Sequence, residues 1–280
     1  MPVDLGEYEK VRAMEIAERI RSFGPDDVGV WIGRLDGAAV FEHRAAELHY
    51  AASTMKLPLA MAVMRQVEAG DLSLDQLLEV HDDFESQVGG RFRVDREDDD
   101  APATWTQLGS EVSLAWLVSE MITVSSNLAT NLVLEVVGVD RAHAALGQFG
   151  DRAGAIRRGI DDAAARAAGI TNDISPAGLA AALRAVGNQA GASGSYLRDL
   201  LSANQWNDEI PARLPAGTRV EHKNGWAGRS LHDGGIVYPP DAEPYCIVVC
   251  TTSDASEQEA QRLIADISWH AWNHRHDLAL

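Results

Sequence analysis

Apolar positions recur with two different periods in the first 50 residues and predict one helix followed by two strands. Between Asp4 and Phe23 they lie three or four residues apart, which predicts an amphipathic helix that ends at Gly24-Pro25. The runs Val28–Leu35 and Ala38–His43 are rich in strand-forming residues and flank Asp36-Gly37, a dipeptide typical of hairpin turns. The chain therefore opens with a helix and an antiparallel pair of strands.

The rest of the chain is first mainly helical and then mainly extended. The predicted helices are Ser53–Glu68, Leu114–Thr123, Ser126–Val137, Asp140–Phe149 and Pro176–Val186. The predicted later strands are Arg219–Lys223, Leu231–Tyr238 and Tyr245–Thr252. A last helix carries Ala260, Leu263, Ile264 and Ile267 on one face.

This order of elements predicts an α/β (α+β) fold in one catalytic domain over residues 1–280. An antiparallel sheet, flanked by the N- and C-terminal helices, comes from residues 1–50 and 206–280. An all-helical subdomain, residues 51–205, is inserted between the two halves of the sheet. The seam between the two parts is where we expect a cleft.

Composition excludes several partner classes. The formal net charge of −18 opposes nucleic acid and anionic membrane surfaces, so we expect neither partner. The first ten residues lack the basic and apolar regions of an export signal, so we expect a cytoplasmic protein, or a secreted one if a leader was removed. We also expect a monomer that acts on a small molecule. Cys246 and Cys250 would lie about 13 Å apart on one face of a strand, too far apart for a disulfide. We expect two buried thiols.

Ser53-Thr54-Met55-Lys56 places a serine and a lysine one helical turn apart. A serine at a helix start is usually an N-cap, so the tetrapeptide alone says little. Lysine usage changes this, because the only lysines are Lys10, Lys56 and Lys223. A lysine on an otherwise apolar helix is costly unless it is paired or neutral, and a base with a depressed pKa meets that requirement.

Two further motifs are individually weak. Ser125-Ser126-Asn127 stands at the junction of two helical patterns, where either serine could simply cap the second helix. His222-Lys223-Asn224-Gly225 ends a predicted strand. Only their order, spacing and structural context, taken with Ser53 and Lys56, indicate a shared function.

With these motifs in this order, the chain resembles the class A β-lactamases and their penicillin-recognising relatives along nearly its whole length. Ser53–Lys56 resembles the family's Ser-x-x-Lys element, and Ser125–Asn127 resembles its Ser-Asp-Asn element. Lys223-Asn224-Gly225 resembles the Lys-Thr-Gly strand, and the closing strand and helix resemble the family's last elements. The resemblance implies a β-lactamase/transpeptidase-like fold and a serine hydrolase that needs no metal and no cofactor.

The resemblance also implies catalytic roles. Ser53 would attack a carbonyl while Lys56 accepts its proton, and a positioned base is worth about 10²- to 10⁴-fold. Ser125 would pass a proton to the leaving nitrogen, and Lys223 would support that path electrostatically.

Further residues would bind the substrate. Asn127 would hydrogen-bond an amide of the substrate, and the Ser53 and Trp226 amides would form the oxyanion hole beside Gly225.

The chain departs from the family where water should be activated. The family uses a loop glutamate, but no glutamate lies between Asp151 and Ala192. Asp161 or Asp162 could be the deacylation base, although each is one methylene shorter. Surface carboxylates or a helix N-terminal turn explain them equally well.

Other departures concern specificity. Asn224 replaces a hydroxyl residue that binds a substrate carboxylate, and His232 stands where some members place an arginine for the same group. Ser126 replaces an aspartate whose role is chiefly structural. We therefore expect Asn224 and His232 to take part in substrate binding, with altered recognition of a carboxylate.

One long loop has two further features. The long stretch Asp82–Gln107, with Phe84, Phe92 and Trp105, could roof the cleft or could pack locally. Its acidic part, Asp95–Asp100, is expected to be a solvated loop without a role.

The sequence is compatible with three hypotheses about function. The first is a class A β-lactamase-like serine hydrolase that forms an acyl-enzyme with a β-lactam or related amide or ester. The second is a D-Ala-D-Ala peptidase or esterase of the same fold, and the third is a catalytically idle protein that binds a small ligand. A metal site at His270, His274 and His276 is not expected, because no further ligand stands at a recognisable spacing.

Overall fold

The computed structural model describes residues 15–24, 27–150 and 152–277. Its main sheet has five antiparallel strands in the order β10-β11-β12-β1-β2. The strands are β1 Val28–Arg34, β2 Ala39–His43, β3 His49–Tyr50, β4 Leu77–Glu79, β5 Asp83–Glu85, β6 Arg91–Arg93, β7 Glu111–Ser113, β8 Gly154–Ala155, β9 Asp173–Ile174, β10 Arg219–Ala227, β11 Ser230–Tyr238 and β12 Tyr245–Thr252.

Helices cover both faces of this sheet and build the insertion between β2 and β10. The first, α1, includes residues 15–23, and the part of its predicted span before residue 15 lies outside the described residues. The others are α2 Lys56–Ala69, α3 Pro102–Trp105, α4 Leu114–Ser119, α5 Asn127–Val137, α6 Val139–Gly147, α7 Ala163–Ala167, α8 Pro176–Asn188, α9 Gly191–Ser202 and α10 Glu257–Asn273.

Alternation along β12 explains why the sheet is buried on both sides. Cys246, Val248 and Cys250 belong to the core that includes α2, α5 and α8. Ile247 and Val249 belong to a second core formed with α1 and α10. Period-2 side-chain alternation sends neighbouring residues to opposite faces, so an uninterrupted apolar run fits a sheet between two layers of helices. The predicted antiparallel sheet between terminal helices is confirmed, and both cysteines are buried free thiols.

Two expectations about secondary structure are corrected. Strand β10 does not end at Lys223 but continues to Ala227, because Asn224, Gly225 and Trp226 stay paired with β11. The insertion is not all-helical, because β4 to β9 lie within it. These strands have two or three residues each, too few to show a period in the sequence.

No helix among the described ranges is long and apolar enough to cross a membrane.

Candidate active site

Ser53 lies in a tight turn that feeds directly into the buried helix α2. The turn, Ala52–Met55, is a 3-10 helix, so Ser53 precedes the α-helix rather than starting it. Ala52 has a φ of 45°, a left-handed conformation that side chains other than glycine rarely adopt. Such strain persists only when the surroundings impose it, and it is common at functional sites.

Lys56 is the first residue of α2 and has no exposed surface. Its Nζ donates to the main-chain oxygen of Ser125 at 2.6 Å, to Ser125 Oγ at 3.1 Å and to Asn127 Oδ1 at 2.9 Å. Burial, reinforced by the charge of Lys223, holds the pKa of Lys56 well below its ordinary value. The geometry thus joins the Ser-x-x-Lys turn to the Ser-Ser-Asn element through one lysine.

Ser125 is presented by an irregular junction between two helices. After α4 the chain makes a π-helical turn over Glu120–Val124, and Ser125 follows with a φ of 70°. Ser126 then caps α5, because its Oγ accepts from Ala129 N at 3.1 Å. The capping interpretation is therefore correct for Ser126, while Ser125 is left to face Lys56.

The C-terminal end of strand β10 packs against the turn that contains Ser53. A Cβ added at Gly225 would lie 2.5 Å from Ser53 N and 3.0 Å from Ser53 Cα. Only glycine permits this approach of two backbones. Trp226 follows on the cleft wall, and Trp206 packs edge-on against it with ring centroids 5.2 Å apart.

Lys223 lies in β10 and is completely buried. Its Nζ donates to the main-chain oxygen of Asn224 at 2.9 Å. Burial lowers its pKa to about 8, against the raising effect of Asp233 and Glu209. Lys223 does not line the cleft, so its effect on the site is that of a charge buried behind the cleft wall.

These elements enclose a cleft of about 370 Å³. Its walls are formed by Tyr50, Ala52, Ser53, Asp98, Asp100, Val124, Ser125, Asn127, Ile160, Asp161, Arg166, Trp226, Ala227 and Gly228. Among the described residues other than glycine, four have positive φ, namely Arg44, Ala52, Ser125 and Asp161. Three of the four lie on this wall, so backbone strain is concentrated at one site.

Only one of the two aspartates expected as a base faces this cleft. Asp161 lines it, and burial raises the pKa of its carboxyl group. Asp162 is fully buried elsewhere and accepts from Ser86 Oγ at 2.8 Å and from Ala165 N at 3.0 Å, as the N-cap of α7. Asp162 is thereby fixed as a structural residue.

Two residues expected to bind a substrate carboxylate do not line the cleft. Asn224 is buried on the other face of β10, where its Nδ2 donates to Glu209 Oε2 at 3.0 Å. His232 is also buried, and its two ring nitrogens bond the oxygen of Tyr50 at 2.8 Å and the N–H of Thr251 at 3.1 Å. Hydrogen bonds and burial occupy both side chains, so neither is available to a ligand in the cleft.

Comparison with known proteins agrees with this geometry. The model of the β-lactamase enzyme family matches residues 11–275. The chain belongs to the β-lactamase enzyme family. The β-lactamase AST-1 of Nocardia asteroides is 30% identical over 241 residues, which cover 84% of this chain and 73% of that protein.

Solved structures agree as well. An ancestral class A β-lactamase is 28% identical with a TM-score of 0.78, covering 94% of this chain and 99% of that one. A β-lactamase of Xanthomonas campestris shares the fold at 23% identity, with a TM-score of 0.80 and coverage of 97% and 98%. The protein is a β-lactamase-like serine hydrolase.

In this β-lactamase-like enzyme, the acidic loop has a role that sequence reasoning missed. Asp99 is only 7% exposed and accepts hydrogen bonds from Asn127 N at 3.0 Å and Leu128 N at 2.9 Å. The expectation of a solvated loop without a role is therefore wrong for this residue. The sequence offered one signal for this role, a carboxylate shortly before a tryptophan. In the structure, Trp105 Nε1 donates to Asp99 at 3.0 Å.

The aromatic residues of the same long loop pack locally instead of roofing the cleft. Phe84 and Phe92 lie against each other across the β5–β6 hairpin, with ring centroids 5.8 Å apart. Trp105 is buried beneath the loop.

Ile160 was also missed, because it belongs to no motif. It lines the cleft, and the Asn131 side chain holds both its N–H, at 2.8 Å, and its C=O, at 2.9 Å. This clamp fixes the direction in which residue 160 faces the cleft.

The histidines near the C-terminus bond to two separate carboxylates. His270 and His274 lie 3.2 and 3.5 Å from Glu15 Oε2, while His276 lies 3.5 Å from Asp241 Oδ2. Across the described ranges, no group of three or more histidine, cysteine or acidic residues is arranged to hold a metal ion.

Proposed function

We propose that Ser53 is the nucleophile of this hydrolase and that Lys56 is its general base, forming an acyl-enzyme with a β-lactam or a related amide or ester. The observation that carries the proposal is the position of Lys56. It is fully buried, one turn after Ser53, with its Nζ held on Ser125 and Asn127. Because burial lowers the pKa of Lys56, the reactive form is the neutral amine, which gives up one of its three donated hydrogen bonds and so has a lone pair for the Ser53 proton.

Acylation then follows from the placement of the other groups. As Ser53 Oγ bonds to the carbonyl carbon, its proton passes to Lys56 Nζ, and the Ser53 and Trp226 amides stabilise the oxyanion. The C–N bond breaks when the leaving nitrogen receives a proton from Ser125 Oγ, which Lys56 Nζ can replace across 3.1 Å. Lys223 supports the developing negative charge from behind the wall. Asn127 hydrogen-bonds the substrate amide.

The second half-reaction lacks a strong base. Asp161 is the acidic residue on the cleft wall that comes from the loop before α7, and burial raises the pKa of its carboxyl group, which makes it a stronger base than an exposed aspartate. Its backbone conformation and short side chain limit its reach, and Ile160 next to it cannot activate water. We therefore propose that hydrolysis of the acyl-enzyme is slow and depends on Asp161.

Intact-protein mass spectrometry with penicillin G tests the proposal. The wild-type protein should gain the mass of one penicillin, and Ser53→Ala should gain none. Ser110→Ala, at an exposed serine, is the matched control and should react like the wild type. A Ser53→Ala variant modified as fully as the control would overturn the assignment.

The location and the oligomeric state of the enzyme can be tested separately. We propose that the enzyme acts as a cytoplasmic monomer, and that turnover needs only the small-molecule substrate and water. Sedimentation of the purified protein and fractionation of producing cells would test the two statements.

A further inference from the structure

Asp99 stands where the acidic loop meets the N-terminus of α5. Its carboxylate receives four hydrogen bonds, from Trp105 Nε1 at 3.0 Å, Ser126 Oγ at 3.2 Å, Asn127 N at 3.0 Å and Leu128 N at 2.9 Å. The side chain is 7% exposed. A nearly buried carboxylate that is fully satisfied in this way defines the position of every group it bonds.

These bonds lead directly to the catalytic groups. Asn127 N is held by Asp99, and Asn127 Oδ1 accepts from Lys56 Nζ at 2.9 Å. The neighbouring Asp98 main-chain oxygen accepts from Asn127 Nδ2 at 3.1 Å, so the loop holds both ends of this residue. Ser125, which bonds Lys56 on its other side, directly precedes the anchored segment.

The helix itself carries no acidic group at this end. Its cap is the neutral Ser126, whose Oγ lies 3.2 Å from the Asp99 carboxylate, and its first turn has no acidic residue. Negative charge at a helix N-terminus is stabilising, and here it arrives from a separate segment of chain. Through Asp99, the loop thereby supplies the negative charge that the neutral Ser126 lacks.

We propose that Asp99 is a positioning residue for acylation, which holds Ser125 and Asn127 against Lys56 through the N-terminus of α5. It rests on the proposed function, because Lys56 must be the base for this placement to affect the rate. Because this role depends on a carboxylate at the N-terminus of α5, an aspartate at position 126 should be able to replace Asp99.

The charge of Asp99 provides a readout that simple packing would not give. The charged groups acting on Lys56 are Lys223, which lowers its pKa, and Asp99 and Asp161, which raise it. Removing the Asp99 charge should therefore move the titration of Lys56 to lower pH. A residue that contributed only packing, without a charge near Lys56, would leave this titration unchanged.

The experiment compares four proteins: wild type, Asp99→Asn, the double variant Asp99→Asn/Ser126→Asp, and the control Glu97→Gln at an exposed position of the same loop. The second-order rate constant for acylation by penicillin G should fall about 10- to 100-fold in Asp99→Asn, since small misplacements of catalytic groups are costly. The double variant should recover at least half of that loss on a logarithmic scale. Glu97→Gln should match the wild type.

A second measurement does not depend on acylation. With only three lysines in the chain, the Lys56 side-chain signals can be assigned in a lysine-labelled NMR sample and titrated directly. The midpoint should fall in Asp99→Asn and rise again in the double variant. If the wild type forms no Ser53 adduct, the proposed function fails, and the NMR titration still decides whether Asp99 acts on Lys56.

Unchanged acylation and an unchanged Lys56 midpoint in Asp99→Asn would overturn the inference. A double variant that folds but acylates no faster than Asp99→Asn would also overturn it. If Asp99→Asn does not fold, the double variant carries the test alone, and it should then acylate within about tenfold of the wild type.

Discussion

At the scale of single residues, burial is what distinguishes the two lysines proposed for catalysis from lysines at a protein surface. Lys56 and Lys223 have no exposed surface, in a chain that otherwise uses arginine almost throughout. The sequence suggested this through the apolar neighbours of Lys56. It could not show that Asn224 and His232 are buried away from the cleft, because that depends on which strand each lies against.

The pH dependence of acylation should reveal the neutral form of Lys56. The folded protein lowers the pKa of Lys56, so the competent neutral amine increases as pH rises through that lowered value. Acylation by penicillin G should therefore increase with pH and reach a plateau below the ordinary lysine range. Stopped-flow rates under conditions where chemistry is limiting would test this, and a flat profile from about pH 5 to 9 would contradict it.

Deacylation should respond in opposite directions to changes at two adjacent residues. Asp161→Asn removes the proposed base and should lengthen the acyl-enzyme lifetime about tenfold or more. Ile160→Glu places a carboxylate on the clamped position that faces the cleft and should shorten it by a similar factor. Decay of the adduct followed by mass spectrometry measures both.

The control for these two variants is Asp75→Asn, at an exposed aspartate that does not line the cleft. The acyl-enzyme of this variant should decay at the wild-type rate. Equal lifetimes in all four proteins would exclude Asp161 as the base and would show that a carboxylate at position 160 does not activate water.

At the scale of elements, the sequence predicted the long segments except the 12-residue helix α9, and it missed the short ones. The main strands and helices have enough residues for a period to show, and their boundaries agree within a few residues. Strand β10 continues past its predicted end because pairing with β11 overrides the local preference of Asn224-Gly225 for a turn. The role of Gly225 is visible only once β10 and the Ser53 turn are brought together.

Gly225→Ala should lower the acylation rate more severely than it lowers the free energy of unfolding. The added Cβ would lie 2.5 Å from Ser53 N, so β10 and the Ser53 turn must move apart. Overpacking of this kind costs about 1–3 kcal/mol of folding free energy. Loss of an aligned oxyanion donor costs about 10²- to 10³-fold in rate, which is the larger effect on function.

The matched control is Gly147→Ala, because a Cβ there meets nothing within 4 Å. Acylation rates and thermal melts of both variants give the comparison. Near wild-type acylation in a folded Gly225→Ala protein would show that the backbones can adapt.

At the scale of the whole molecule, charge sets how substrate reaches the site. The chain has a formal net charge of −18, and the cleft wall carries Asp98, Asp100 and Asp161 against a single exposed cation, Arg166. Lys56 and Lys223 are buried behind this wall and contribute less to the field outside it. An anionic β-lactam therefore approaches against repulsion.

Salt should accordingly accelerate acylation by anionic substrates. The Debye length falls from about 30 Å at 0.01 M to about 8 Å at 0.15 M ionic strength, so added salt screens the repulsion during approach. We expect the second-order rate constant for penicillin G to rise about two- to tenfold over this range. An uncharged ester of the same penicillin, measured in parallel, should show no such rise because it carries no charge to screen. A rate constant that instead falls with salt would mean that the buried lysines dominate the field at the cleft entrance, and that carboxylate attraction survives the burial of Asn224 and His232.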